Sequence, residues 1–187
     1  LNGGKRVIVD LGLGKITDDG YHDTTDTAVE DYVSEIEIVI GTTGDDNLYG
    51  DSNKNTLVGA NGADIIYGRE GADSLNGGAG ADVINGGDDS DIILGGTDSD
   101  NIDGGTGADN IDGEAGDDII VGGTGNDRLT GGSGIDELSY VSALSRITVT
   151  LANGSSAFGT ITSATEGTDT LLDHFEIIRG SNYEDIF

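Results

Sequence analysis

Apolar and polar positions along this chain alternate with a period of nine. From Gly41 to Ser139 one aliphatic residue recurs at every ninth position, Leu or Ile without exception from Leu48 to Leu138, and small or polar residues fill most of the intervals. A helix, with its period of 3.6, cannot sustain that spacing. Divided at its glycines, the stretch is eleven contiguous units: GTTGDDNLY, GDSNKNTLV, GANGADIIY, GREGADSLN, GGAGADVIN, GGDDSDIIL, GGTDSDNID, GGTGADNID, GEAGDDIIV, GGTGNDRLT and GGSGIDELS. Position 1 is Gly in all eleven. Position 6 is Asp in ten (Asp46, Asp64, Asp73, Asp82, Asp91, Asp100, Asp109, Asp118, Asp127 and Asp136), and Asn55 departs.

Each column implies a local geometry. Glycine at positions 1, 2 and 4 reads as backbone at positive φ, allowing six residues to turn tightly with carbonyls inward. Positions 7 to 9 read as a three-residue strand whose middle side chain faces in. A single nonapeptide cannot bury its one aliphatic side chain, so units must stack. Turn, strand, turn, strand makes a flattened coil of 18 residues, with odd units on one side and even units on the other. Position 7 then faces outward, and it carries Ile65, Val83, Ile92 and Ile119. They are read as a packing surface for the flanks or as a partner patch.

The flanks, 1–40 and 140–187, lack the period but resemble each other. RVIVDL at 6–11 matches RITVTL at 146–151, and EIEIVIGTTGDDNL at 35–48 matches HFEIIRGSNYEDIF at 174–187, at offsets of 140 and 139. Val7, Val9 and Leu11, like Ile147, Val149 and Leu151, alternate as strands with one buried face. The expected organisation is a connector (1–40), an eleven-unit coil (41–139) and a second connector (140–187). The connectors are read as looser turns that continue the coil and cover its ends, with separate small β domains as the alternative. LNGG at 1–4 recurs at 75–78, and GSNYEDIF at 180–187 fits positions 1 to 8 of a further unit. Both ends therefore read as cut from a longer array, the alternative being that DIF is a genuine C-terminus.

Composition alone, with 34 Gly and 5% aromatics, would favour disorder, and the spacing overturns it. There is no Cys, hence no disulfide or thiol chemistry, and no apolar run long enough to span a membrane. A net charge of −28 argues against nucleic acid and fits a sink for polyvalent cations. In an 18-residue coil, position-6 carboxylates stack one layer apart, about 4.8 Å. Each such pair repels by roughly 3–4 kcal/mol at an effective dielectric of 20. A column of them needs cations between its layers. Carboxylates with main-chain carbonyls, and no His or Cys, suit Ca²⁺ before Mg²⁺. The repeat block holds 21 Asp/Glu and three Lys/Arg, so nine Ca²⁺ in its nine interlayer gaps would neutralise it.

These units resemble the GGxGxDxUx repeat of the RTX (repeats-in-toxin) family over 99 of 187 residues. The resemblance implies an all-β fold, a right-handed parallel β-roll (β-solenoid), with Ca²⁺ between its turns. It assigns the sixth-position carboxylate a bridging role, carbonyls of positions 1 and 3 from one unit, and carbonyls of positions 2 and 4 from the stacked one. On this chain, position 1 gives Gly59, Gly77, Gly95, Gly104 and Gly113. Position 3 gives Asn61, Ala79, Thr97, Thr106 and Ala115. Positions 2 and 4 give Gly78, Gly80, Gly96, Asp98, Gly105, Gly107, Gly116, Gly123 and Gly125. One site would join Gly77, Ala79 and Asp82 with Gly96, Asp98 and Asp100. Asn55, with Lys54 beside it, predicts weak or empty sites near Asn55 and Asp73. Asp89 and Asp98 at position 4 read as solvated charges in left-handed backbone, although Asp98 is also carried as a candidate ligand.

The resemblance implies a structural module that folds on Ca²⁺ outside the cell, part of a large type I-secreted bacterial adhesin or surface protein. Its partners would be calcium ions and neighbouring modules of the same chain, with no nucleic acid and no membrane span, as a monomer. The alternative is the accessory region of an RTX lipase, protease or epimerase. Ice or polysaccharide binding would need a flat Thr array, and Thr holds position 3 only at 43, 97, 106 and 124. No catalytic constellation is recognisable. His22 and His174 read as solvated, and Asp18, Asp19, Asp23 and Asp26 as a further Ca²⁺ candidate without EF-hand spacing.

Overall fold

The computed structural model describes residues 7–17, 31–32, 36–151, 159–173 and 175–187. These contain strands and no helix. The N-terminal segment gives β1 (Ile8–Asp10), β2 (Lys15–Thr17), β3 (Asp31–Tyr32) and β4 (Ile38–Ile40). The repeats give β5 (Asn47–Tyr49), β6 (Thr56–Asn61), β7 (Ile65–Arg69), β8 (Ser74–Ala79), β9 (Val83–Asp88), β10 (Ile92–Thr97), β11 (Asn101–Gly107), β12 (Asn110–Ala115), β13 (Ile119–Val121), β14 (Thr124–Gly125), β15 (Arg128–Thr130) and β16 (Glu137–Ser139). The C-terminal segment gives β17 (Ile147–Leu151), β18 (Gly159–Ser163), β19 (Gly167–Leu171) and β20 (Ile177–Arg179).

Pairing within the repeats is parallel with a register of 18. Ile65 pairs Val83, and Val83 pairs Asn101; on the opposite side Thr56 pairs Ser74, and Ser74 pairs Ile92. The two stacks close a solenoid whose core is the position-8 column. Leu48, Leu57, Ile66, Leu75, Ile84, Ile93, Ile102, Ile111, Ile120, Leu129 and Leu138 are at most 2% exposed. Position 7 faces out, with Val83, Ile92 and Ile119 exposed and Ile65 half-buried.

The strands are longer than the expected three residues. In the middle of the roll they run on through position 3, where Ala60 pairs Gly78 and Asn61 pairs Ala79. The turn is thereby confined to positions 4 to 6. The register also starts before Gly41, because Ile38 already pairs Thr56.

The connectors differ more from expectation. They do not simply lengthen the turns: each places an antiparallel meander in one stack. At the C-terminal end β17, β18 and β19 pair antiparallel. β19 then lies parallel on β15, and β20 lies parallel on β16. At the N-terminal end β1, β2 and β3 pair antiparallel, β1 lies parallel on β5, and β4 lies on β6. Val9, Ile147, Ile161 and Leu171 extend the apolar column into both meanders. A two-pronged ion pair ties the first connector down: Arg69 donates to Asp10 at 2.8 and 2.9 Å while its guanidinium lies over the Tyr49 ring.

Candidate metal centre

Stacking at 18 residues brings each position-6 carboxylate under the main chain of the layer before it. The Asp64 N–H donates to Asp82 Oδ1 at 2.7 Å, Asp82 to Asp100 at 2.8 Å, and Asp100 to Asp118 at 2.9 Å. On the other side Asp73 donates to Asp91 at 2.7 Å, Asp91 to Asp109 at 2.9 Å, and Asp109 to Asp127 at 2.9 Å. Oδ1 is thus held by a backbone donor. Oδ2 of Asp64, Asp73, Asp82, Asp91, Asp100, Asp109, Asp118, Asp127 and Asp136 is buried and has no hydrogen-bond donor. Buried carboxylate oxygens without partners are costly, and native structures seldom leave them so.

Those oxygens face a second acceptor. A methyl group on Gly59 would stand 2.2 Å from Asp64 Oδ2 and 2.5 Å from the Gly77 carbonyl oxygen. On Gly77 it would stand 2.3 Å from Asp82 Oδ2 and 2.5 Å from Gly95 O. The same pair recurs at Gly68, Gly86, Gly95, Gly104 and Gly113, with distances of 2.4–2.7 Å. Each position-1 glycine therefore leaves a cradle in which a carboxylate oxygen and a carbonyl oxygen converge with no proton between them. Position 1 is glycine for this space and not for its φ, which is positive at none of these residues. Positive φ belongs to positions 2 and 4, as at Gly78, Gly80, Gly96, Gly105, Gly107, Gly116, Gly123 and Gly125. Ala60, Arg69 and Glu114 take it at position 2, and Asp89 and Asp98 at position 4.

The oxygens of the sequence-predicted ligands separate by position. Carbonyls of Gly59, Gly77, Gly95, Gly104 and Gly113 reach the cradle of the layer before. Carbonyls of Gly78, Gly105, Asp98, Gly107, Gly116 and Gly125 point at the glycine one layer on. Those of Ala79 and Thr97 accept ladder bonds from the Gly62 and Gly80 N–H groups. Asn61 and Thr106 continue the same ladders, and Ala115 bridges to Ser133. Gly96 pairs with Gly78 and Glu114, and Gly123 stacks over the Gly105 carbonyl. The Asp98 side chain is exposed. Replacing it with Gly removes a left-handed non-glycine residue, so Asp98→Gly is expected to stabilise the folded chain by about 1 kcal/mol in a denaturation series. His22, His174 and the Asp18, Asp19, Asp23 and Asp26 group lie outside the described residues.

Both ends of each column are closed by hydrogen bonds. Asp46 accepts from the main chain of Val7 and Thr42. Asn55 Oδ1 accepts from the Asp51 N–H at 2.8 Å. Beyond Asp127 the register jumps 42 residues: the Asp127 N–H donates to Asp169, and the Tyr140 hydroxyl donates to the other Asp169 oxygen. Beyond Asp136 a glutamate substitutes, with the Asp136 N–H donating to Glu176 Oε2 at 2.9 Å. Asp169, Glu176 and Tyr140 are absent from the sequence-derived site. Glu176 stands one unit ahead of Asp185 and is legible in phase, whereas the Tyr140–Asp169 contact has no periodic signal.

Burial raises the pKa values of the column, making these carboxyls weaker acids. Asp64, Asp73, Asp82, Asp109 and Asp118 are pushed up to about 6 and Asp91 and Asp100 to about 7. The backbone N–H bond opposes burial in each case, while neighbouring carboxylates, such as Asp82 and Asp118 around Asp100, reinforce it. Asp127, Asp136 and Asp169 shift the same way, also led by burial. No group of three or more His, Cys, Asp or Glu side chains gathers among the described residues. Each gap brings a carboxylate to main-chain oxygen, so the donor set is mostly backbone. An all-oxygen cradle with an unpartnered anionic atom fits a hard divalent cation.

A comparison with curated proteins gives no match. The sequence model of the RTX calcium-binding nonapeptide repeat, a four-copy unit, matches residues 34–66, 67–102 and 103–138. The first match opens in the residues that lead into β4, where the 18-residue register also begins. The roll, its acidic columns and this match over more than half its length identify the chain as a member of the RTX calcium-binding nonapeptide repeat family, a structural calcium-binding module.

Proposed function

We propose that this module uses Ca²⁺ as its folding switch, and that residues 41–139 are the switch while 1–40 and 140–187 are its connectors. Ca²⁺ in the cradles would supply the positive charge that the buried carboxylates lack. The ligands are Oδ2 of the position-6 aspartates and the position-1 carbonyls. Nine unpartnered Oδ2 atoms set the capacity at about nine ions. The observation that carries this reading is the convergence of each orphaned Oδ2 with a glycine carbonyl. Oxygen sites of this kind in extracellular modules bind at about 10⁻⁴–10⁻³ M. The chain then remains unfolded where calcium is scarce and folds where it is plentiful. That behaviour suits a bacterial protein exported unfolded through a type I system, acting outside the cell as a spacer in an adhesin or surface protein. The role is structural, with neighbouring modules of the same chain as partners.

A calcium titration followed by circular dichroism tests this. β signal should be absent in chelator and appear cooperatively near millimolar calcium. A signal indifferent to chelator contradicts the proposal. Asn55 offers a finer test, since its neutral amide occupies a column position. Asn55→Asp is expected to raise calorimetric stoichiometry by about one ion and to sharpen the calcium dependence.

A further inference from the structure

The two connectors carry the same meander, but each uses a different face of it. β17 is the counterpart of β1 at an offset of 140 and β20 of β4 at 139, and β18 and β19 follow β17 antiparallel as β2 and β3 follow β1. The C-terminal copy uses its rear face, with β19 seated on β15 and β20 on β16. The N-terminal copy uses its front face, with β1 under β5 and β4 under β6.

The front face of the C-terminal copy is already partly engaged in the same way. Thr148 bridges to Ile186 in parallel, as Ile8 pairs Asn47. The Ile147 N–H donates to Asp185 Oδ1, as the Val7 N–H donates to Asp46 Oδ1. Asp185 and Phe187 thus stand where Asp46 and Leu48 stand. Yet Leu48 is fully buried and Phe187 is 73% exposed. Ile186, which stands where the half-buried Asn47 stands, is exposed as well. At the N-terminal copy β4 pairs β6 alone among the described strands, and a 340 Å³ apolar cavity lies between Val7, Val9, Ile36 and Val39.

We infer that the connector is a two-faced coupler, and that its front face at β17 and β20 is a seat for a further nonapeptide array, held in the register in which β1 and β4 hold β5 and β6. The inference rests on the calcium-folding reading above. Strand pairing then passes through the connector without a break. The two sides are unequal, however. On one side three strands (β19, β18, β17) stand between successive arrays, and on the other only β20. At about 4.8 Å per strand the excess is roughly 10 Å on one side, which gives the joint a fixed bend. The sides also exchange: β16, in the stack of Leu138, leads through β20 to the counterpart of β6, in the stack of Leu57.

A tandem chain tests this: the full sequence followed directly by a second run of residues 49–187, so that Phe187 takes the place of Leu48. The chain has no cysteine, so Asn110→Cys in both arrays gives two spin-label sites at exposed positions. With calcium the inter-label distance should form one narrow distribution. Inserting a single residue after Phe187 moves every following side chain to the opposite face and should broaden it severalfold. Equally broad distributions in both tandems would overturn the coupler while leaving calcium folding intact. A single chain that gains no β signal with calcium would remove the functional reading and the coupler with it.

Discussion

Stripped of calcium at pH 8, the chain is expected to lose its roll, and acidification to about pH 4 is expected to restore part of it. Seven column aspartates are raised to about 6 or 7 by burial. A carboxyl whose folded value lies above its unfolded one stabilises the fold when protonated. That contribution is complete below the unfolded value, near 3.9, and is lost as pH rises through 6 to 7. At about 1.4 kcal/mol per factor of ten, and allowing generously for solvent screening, the charged, metal-free column carries a penalty on the order of 10 kcal/mol. That matches the whole stability of an ordinary domain. Calcium reverses the slope, because its ligands must be deprotonated. Holo stability should therefore stay flat from pH 8 to about 5 and fall only as pH approaches the unfolded carboxylate value near 3.9, whereas apo stability already rises as pH drops through 7 to 6. Thermal melts from pH 4 to 8, with and without calcium, check both slopes; parallel profiles would contradict the burial of the column.

A methyl group at position 1 should be far worse than a larger side chain at position 2. In Gly77→Ala the new carbon stands 2.3 Å from Asp82 Oδ2 and 2.5 Å from a main-chain oxygen of Gly95. Gly95 lies between the paired ladder residues Leu94 and Gly96, so its carbonyl cannot shift easily and the carboxylate must leave the cradle. The expected loss is roughly 2–5 kcal/mol with at least one calcium site. Gly78→Asn is expected to cost only about 1 kcal/mol. Its site is left-handed and close to the Ala60 carbonyl, but Ala60, Arg69 and Glu114 show that a side chain can be accommodated there. Calcium calorimetry and urea unfolding of the two variants check the order. Equal effects would return position 1 to a matter of backbone conformation.

That contrast marks the limit of the sequence. The columns at positions 1, 6 and 8 disclosed the 18-residue register, the Leu/Ile core and the stacked carboxylates, because a solenoid repeats each contact at fixed spacing. Position 1 is glycine for space and not for the positive φ its column suggests, since a missing Cβ looks the same in sequence whether φ or space demands it. The strands extend through position 3 because ladder bonds are insensitive to side-chain type, so Ala60 and Asn61 carry no strand signature. The duplicated connector was visible in RVIVDL and RITVTL, but its antiparallel meander was not, since alternation alone does not disclose strand direction. Tyr140 on Asp169 and Arg69 on Asp10 occur once each, across 29 and 59 residues. A single long-range pair leaves no period to read.

The most direct measurement is diffraction from crystals grown in ample calcium, with anomalous scattering to locate the ions. A cation is expected at Asp82 Oδ2 and the Gly95 carbonyl, and at each equivalent cradle along both columns. Cradles filled by water, with calcium scattered on the outer acidic surface, would contradict it.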